Sequence, residues 1–126
     1  MSTLRVTEIQ SNSTAFNTPV RFETSGGAEN GKLAKAWVNF NGQGTVAVRN
    51  DFNVNTITDY GIGRYGVNFS NAMPNTNYSC LATSTWGAAL WWNATAHTSS
   101  QTTITTIRTD SGAVQDHEFT CVAVFS

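Results

Sequence analysis

The chain has 126 residues, 12% of them charged, with 7 basic against 8 acidic side chains. That length fits one domain with one modest core, and the charged share is about half that of an ordinary globular protein. So neutral a chain has no basic field to displace counterions from phosphate, which argues against nucleic-acid binding. Ser, Thr and Asn fill about a third of the sequence. The resulting surface is polar but nearly uncharged and repels its own copies weakly, as suits a part of an assembly.

The opening MSTLRVTEIQ has no apolar run long enough for a signal peptide, and nothing downstream approaches the ~18 apolar residues of a membrane span. The expectation is a chain made in a cytosol and not inserted in a membrane. On that reading the sequons at Asn12, Asn68, Asn77 and Asn93 are incidental. Residues 1–30 read as an N-terminal arm and linker: Leu4-Arg5-Val6 alternates, SNSTAFNTP follows, and Ser25-Gly26-Gly27 and Asn30-Gly31 surround a short Val20-Arg21-Phe22 run. Leu4, Val6 and Ile9 are the arm's attachment residues, whether against this domain or a partner.

Residues 31–126 read as an all-β domain, a small antiparallel β-sandwich of jelly-roll-like type. Its first hairpin is KAWVNFNGQGTVAVRN, from Lys35 to Asn50. Ala36, Val38 and Phe40 share one face, Val46 and Val48 alternate in the return strand, and two glycines serve the turn. A second hairpin runs from Val54 to Asp59, turns at Tyr60-Gly61-Ile62-Gly63, and returns from Arg64 to Phe69 with Tyr65, Val67 and Phe69 on one face. Pro74 makes Asn71 to Asn75 a loop. Strands follow at Tyr78 to Ser84, Leu90 to Ala96 and Thr102 to Thr109, with Trp86-Gly87 as a break. The last strand, around His117 to Phe125, is apolar on both faces, which marks a central strand covered twice: by the core, and by a second layer or another subunit. Cys80 and Cys121 each share a face with an aromatic residue. Buried free thiols are the ordinary reading, and two cysteines alone do not establish a disulfide.

The segment from Lys35 to Asn50, with NVNTITDYGIGRYGVNFSNAMPNTNY from Asn53 to Tyr78, resembles a short module of tail-fibre-like proteins of tailed bacteriophages, especially those infecting cyanobacteria and other marine bacteria. A Trp-bearing strand, a Gly-x-Gly turn, Ile-Thr-Asp before a Gly-rich turn, a Tyr-x-Val-Asn-Phe strand and Met-Pro before a Tyr strand occur in order. The first ten residues, Ile107-Arg108-Thr109 and Cys121 to Phe125 extend the resemblance to most of the chain. It implies a virion protein, made in the host cytoplasm and released by lysis, that forms a homotrimer and meets other virion proteins. It carries over no catalytic residues. Fibre proteins normally have a long shaft, and here about 30 residues precede the knob. A separate tip subunit and a knob fixed elsewhere, such as a capsid decoration of cement or head-fibre type, are therefore both consistent with it.

Chemistry-bearing patterns are weak. Asp51-Phe52-Asn53-Val54-Asn55 begins like a calcium loop, but Thr56 replaces the required Gly and Ile62 the bidentate Glu. His117 to Cys121 imitates a zinc motif without its second His or a helix to present it. Asp116-His117-Glu118 cannot bring both carboxylates to the imidazole on a strand, so His117 reads as an exposed edge residue. No nucleophile elbow or phosphate loop is present. The expectation is therefore no enzyme, no metal and no cofactor.

Trp86, Trp91, Trp92 and His97 are the candidate glycan or interface residues, since indole faces stack on sugar C–H faces while amides bond hydroxyls. The commoner role of such Trp residues is core or subunit interface. Trp91 and Trp92 point opposite ways on a strand, leaving one of them for an interface or ligand. The expected function is a surface-exposed trimeric knob that contacts a host receptor, with a host surface glycan as ligand. A free-standing carbohydrate-binding module is the alternative outside virions.

Overall fold

The computed structural model describes Thr3 and residues 20–24, 27–31, 33–91 and 93–126. The chain divides into two units, Met1–Leu33 and Ala34–Ser126. In the first, β1 (Val20–Thr24) and β2 (Gly27–Gly31) pair antiparallel, with Val20 opposite Gly31 and Thr24 opposite Gly27. This hairpin lies where composition predicts a linker. Leu4, Val6 and Ile9 fall outside the described residues.

The second unit contains β3 (Ala36–Asn41), β4 (Ala47–Phe52), β5 (Val54–Asp59), β6 (Arg64–Phe69), β7 (Ser79–Ser84), β8 (Gly87–Trp91), β9 (Gln101–Arg108) and β10 (Thr120–Phe125). A single 3-10 turn spans Ala94–Ala96, and no α-helix occurs among the described residues. All eight strands belong to one antiparallel sheet in the order β4-β3-β10-β7-β8-β9-β6-β5. Only Asn53 separates β4 from β5, the two edge strands, and the sheet curls nearly closed. The all-β antiparallel expectation stands, while hydrogen bonding defines one continuous sheet rather than two stacked ones. Within it β10-β7-β8-β9 is a Greek key, three hairpin-linked strands with a fourth returning beside the first.

Alternation fixes which side of each strand is inside. Ala36, Val38 and Phe40 are buried while Trp37 and Asn39 face outward, and Tyr65, Val67 and Phe69 are buried on β6. The interior closes through edge-to-face ring pairs, Phe40 on Tyr65 at 5.0 Å and Phe69 on Tyr78 at 5.7 Å. β10 is central, between β3 and β7, with Val122 and Val124 inside. β8 corrects the sequence reading: it begins at Gly87 and ends at Trp91, and in the expected continuation Ala94–Ala96 forms a 3-10 turn instead of strand. Its opening Gly-Ala-Ala has low strand propensity, so the apolar signal began only at Leu90.

Because every pair is antiparallel, the connections alternate between two poles. The turns 42–46, 60–63 and 85–86 and the long connection 109–119 lie at one pole. Asn53 and loops 70–78 and 93–100 lie at the other. Both ends of this unit are also there, joined by the Lys35 N–H donating to the Val124 carbonyl at 2.7 Å. Asn53 turns the corner between the sheet edges with φ of 56°, a left-handed conformation that Asn tolerates better than most residues. Its Nδ2 donates to the carbonyls of Lys35 (2.9 Å) and Asn71 (3.1 Å), and its Oδ1 accepts from the Asn71 N–H at 2.7 Å.

The connection 109–119 caps the first pole. Asp116 Oδ1 accepts from the Gly63 N–H at 2.6 Å and from the Tyr65 hydroxyl at 2.7 Å, and the Gly42 N–H donates to the His117 carbonyl at 2.9 Å. These bonds pull His117 inside, to 0% exposure, with Nδ1 2.8 Å from Ser84 Oγ. The exposed-edge reading of His117 is thus overturned. Burial holds the imidazole below its ordinary pKa of 6.5, against the opposing pull of Asp116. Its Nε2 has no hydrogen-bond partner among the described residues, which fits a neutral ring with the proton on Nδ1.

A pH dependence follows. Below the ordinary value the unfolded chain takes up a proton that the folded state resists, so the unfolded state binds more protons and stability falls as pH falls. The loss begins as pH drops through about 6.5 and is complete below the depressed folded value. Urea unfolding at pH 7.5 and pH 5 should show it, and His117→Gln should flatten that part of the profile.

Candidate functional site

The four aromatic residues singled out in the sequence do not form one cluster. Trp86 lies at the capped pole, on the two-residue turn between β7 and β8. Trp91 and His97 lie toward the other pole, and Trp92 is outside the described residues.

Trp86 is 81% exposed, and its backbone φ is 66°. A bulky aromatic in left-handed conformation is an outlier, costing about 1–3 kcal/mol, and such outliers persist where the surrounding structure enforces them. The enforcing contacts sit on both sides of it. The Thr85 N–H donates to the Phe119 carbonyl at 3.0 Å, and Gly87 begins the β8–β9 ladder opposite Arg108. Trp86 shares an open recess of about 640 Å³ with Gln43, Arg108, Thr109, Asp110 and Gln115. Arg108 makes a two-pronged pair with Asp110, its Nε donating to Oδ1 at 2.8 Å and its Nη2 to Oδ2. That hydrogen bond holds the Asp110 carboxyl at about 2, well below the usual carboxylate range, and the same pairing raises Arg108. The pair stays ionised in the lining of the recess that Trp86 shares. Tyr60, Ile62 and Val114 are also exposed at this pole.

Toward the opposite pole, His97 packs on Tyr78 with ring centroids 4.2 Å apart and on the edge of Trp91 at 4.5 Å. His97 Nε2 lies 2.9 Å from the Thr76 carbonyl, so that nitrogen carries the ring proton and donates. The Tyr78 hydroxyl is 2.9 Å from the carbonyls of both Thr98 and Gln101, and burial pushes its pKa up to about 12. Trp91 is 57% exposed. The sequence indicated Trp91 and His97 but not that Tyr78 and Cys80 join them, because that proximity comes from loops 70–78 and 93–100 meeting. The Arg108–Asp110 pair was also missed, although its two-residue spacing ahead of a Ser-Gly turn was visible.

A third surface lies on the outside of the sheet. Phe52, Trp37, Ala123 and Leu81 stand side by side across β4, β3, β10 and β7 in the pairing register. Phe52 and Leu81 are exposed, Trp37 and Ala123 half-buried, and Phe125 is exposed on the same face of β10. Beside this row run Asn39, Cys121 and Thr83. Cys121 therefore faces outward while Cys80, opposite Val124, faces inward; both thiols are free. Among the described residues no three His, Cys, Asp or Glu side chains converge as a metal ion would need.

No family model, no curated protein and no solved structure matches this chain.

Proposed function

We propose that this chain is a surface knob of a tailed-bacteriophage virion, of tail-fibre type, which assembles as a homotrimer and contacts a host surface saccharide through the recess at Trp86. The virion assignment rests on the sequence resemblance. The observation that carries the contact is the placement of Trp86: an exposed indole held in a disfavoured backbone conformation, at the pole opposite the one where the chain enters at Lys35. A residue arranged for contact belongs at the end away from the attachment. Around it, the Arg108–Asp110 fork and the carboxamides of Gln43 and Gln115 supply donors and acceptors for hydroxyl groups, and the indole supplies a flat apolar face. The apolar outer row on β4, β3, β10 and β7 supports assembly, because a bare apolar stripe beside a doubly apolar central strand is buried by a neighbour in a stable oligomer.

The Trp86 site makes an unusual combination testable. Trp86→Gly removes the left-handed strain, so the variant should melt at the same temperature as the parent or higher, a gain of about 1 kcal/mol at most. The same variant should lose binding to host-cell polysaccharide on a glycan array. If it binds as well as the parent, the recess is not the contact site.

A further inference from the structure

The β7–β8 hairpin is paired only at its turn, through Ser84 with Gly87 and Thr83 with Ala88. Beyond that point β7 continues along β10 as far as Ser79, and β8 continues along β9 as far as Trp91. The two halves of the sheet part there, opening a cleft of about 140 Å³. Cys80, Ala82, Ala89 and Leu90 line it together with the buried Ile104, and the Tyr78, His97 and Trp91 rings stand around it.

What this cleft can bind follows from what its polar atoms already do. The Tyr78 hydroxyl is held by the Thr98 and Gln101 carbonyls, His97 Nε2 by the Thr76 carbonyl, and His97 Nδ1 lies 3.4 Å from the Thr102 hydroxyl. No lining residue is an acid, Lys or Arg. Burial raises the Cys80 thiol, leaving it protonated and weakly polar. The lining side chains therefore offer dispersion contacts, ring surfaces and no charged partner, so a charged group entering the cleft would lose water without a counter-ion. An apolar cavity of about 150 Å³ is the size known to take up benzene, and the perpendicular Trp91–His97 pair presents the ring edge on which another aromatic face packs well.

We propose that the cleft between β7 and β8 is a binding pocket for one uncharged aromatic ring of about benzene's size. It lies away from Trp86 and does not depend on the saccharide reading. The ring belongs to a free small molecule or to a Phe side chain of a partner chain, and both sources offer the same chemistry.

The test is a titration of the full chain with toluene, followed through the Ala82 and Ala89 methyl resonances and the Trp91 indole resonance. Toluene should give saturable shifts at one site, and benzoate should bind at least roughly tenfold more weakly because its carboxylate would be desolvated unpaired. Ala89→Leu, which fills the cleft, should abolish the toluene shifts. Should that variant not fold, Trp91→Ala removes one ring of the mouth and should weaken binding instead. Blocked phenylalanine amide separates the sources: binding like toluene's assigns the ring to a partner side chain, and toluene binding alone assigns it to a free ligand. Non-saturating shifts, equal binding of benzoate, or unchanged binding in whichever variant folds would overturn the proposal.

Discussion

Gly87→Ala is expected to leave the domain largely unfolded. A Cβ at this position would stand 1.8 Å from the Ile107 carbonyl oxygen and 3.0 Å from His117 Cε1. The oxygen belongs to backbone that pairs with the next residue, Ala88, so it cannot retreat without breaking the β8–β9 ladder. On the other side stands an imidazole that is fully buried and hydrogen-bonded to Ser84. The clash therefore falls on sheet and cap together, and the cost should reach roughly 4–5 kcal/mol, within reach of the whole stability of a domain this size. Thermal melting followed by near-UV circular dichroism should show no cooperative transition. Gly44→Ala is the control: its φ is 65° but nothing lies within 4 Å of the added carbon. Only the left-handed conformation is penalised there, at about 1–2 kcal/mol, and the variant should fold.

Leu81→Asp is expected to convert the proposed homotrimer to monomers without unfolding them. Leu81 is 58% exposed on the outer face, beside Ala123 and in line with Trp37 and Phe52. Within one copy an aspartate there stays in water and costs little. Inside an interface between copies it becomes a buried carboxylate without a partner, a penalty on the order of 3–5 kcal/mol at each site. Since about 1.4 kcal/mol is tenfold, each site should weaken association by at least two orders of magnitude. Light scattering would show the change in mass, while an unchanged circular dichroism spectrum would confirm an intact sheet. A variant of trimeric mass at the concentration where the parent is trimeric would show that the row Phe52, Trp37, Ala123 and Leu81 is not the interface.

Much of the sheet was readable because its strands state their own period. Ala36-Val38-Phe40, Tyr65-Val67-Phe69 and Val122-Val124 alternate cleanly, and the structure buries each of these residues. The two apolar faces of β10 also indicated a central position, and it lies between β3 and β7. Other parts depend on partners distant in sequence. The stretch DSGAVQDHEF has no period, and its place over the pole is set by Asp116 meeting Gly63 and Tyr65 and by the His117 carbonyl meeting Gly42. No local pattern encodes those meetings. Val46 and Val48 alternate in the return strand, yet β4 is an edge and is exposed along its whole length, because burial of Val48 requires a neighbour on that side. The candidate site divided the same way. Each aromatic was visible as a residue, but their separation to two poles came from a two-residue turn at Thr85-Trp86 and a strand that stops at Trp91.

Sedimentation velocity of the full chain, run across a range of concentrations, tests most directly the claim that this domain completes itself with identical copies. One dominant species at three times the 13.6 kDa of the single chain, persisting on dilution, is expected. A stable species at 13.6 kDa over the whole range would contradict it.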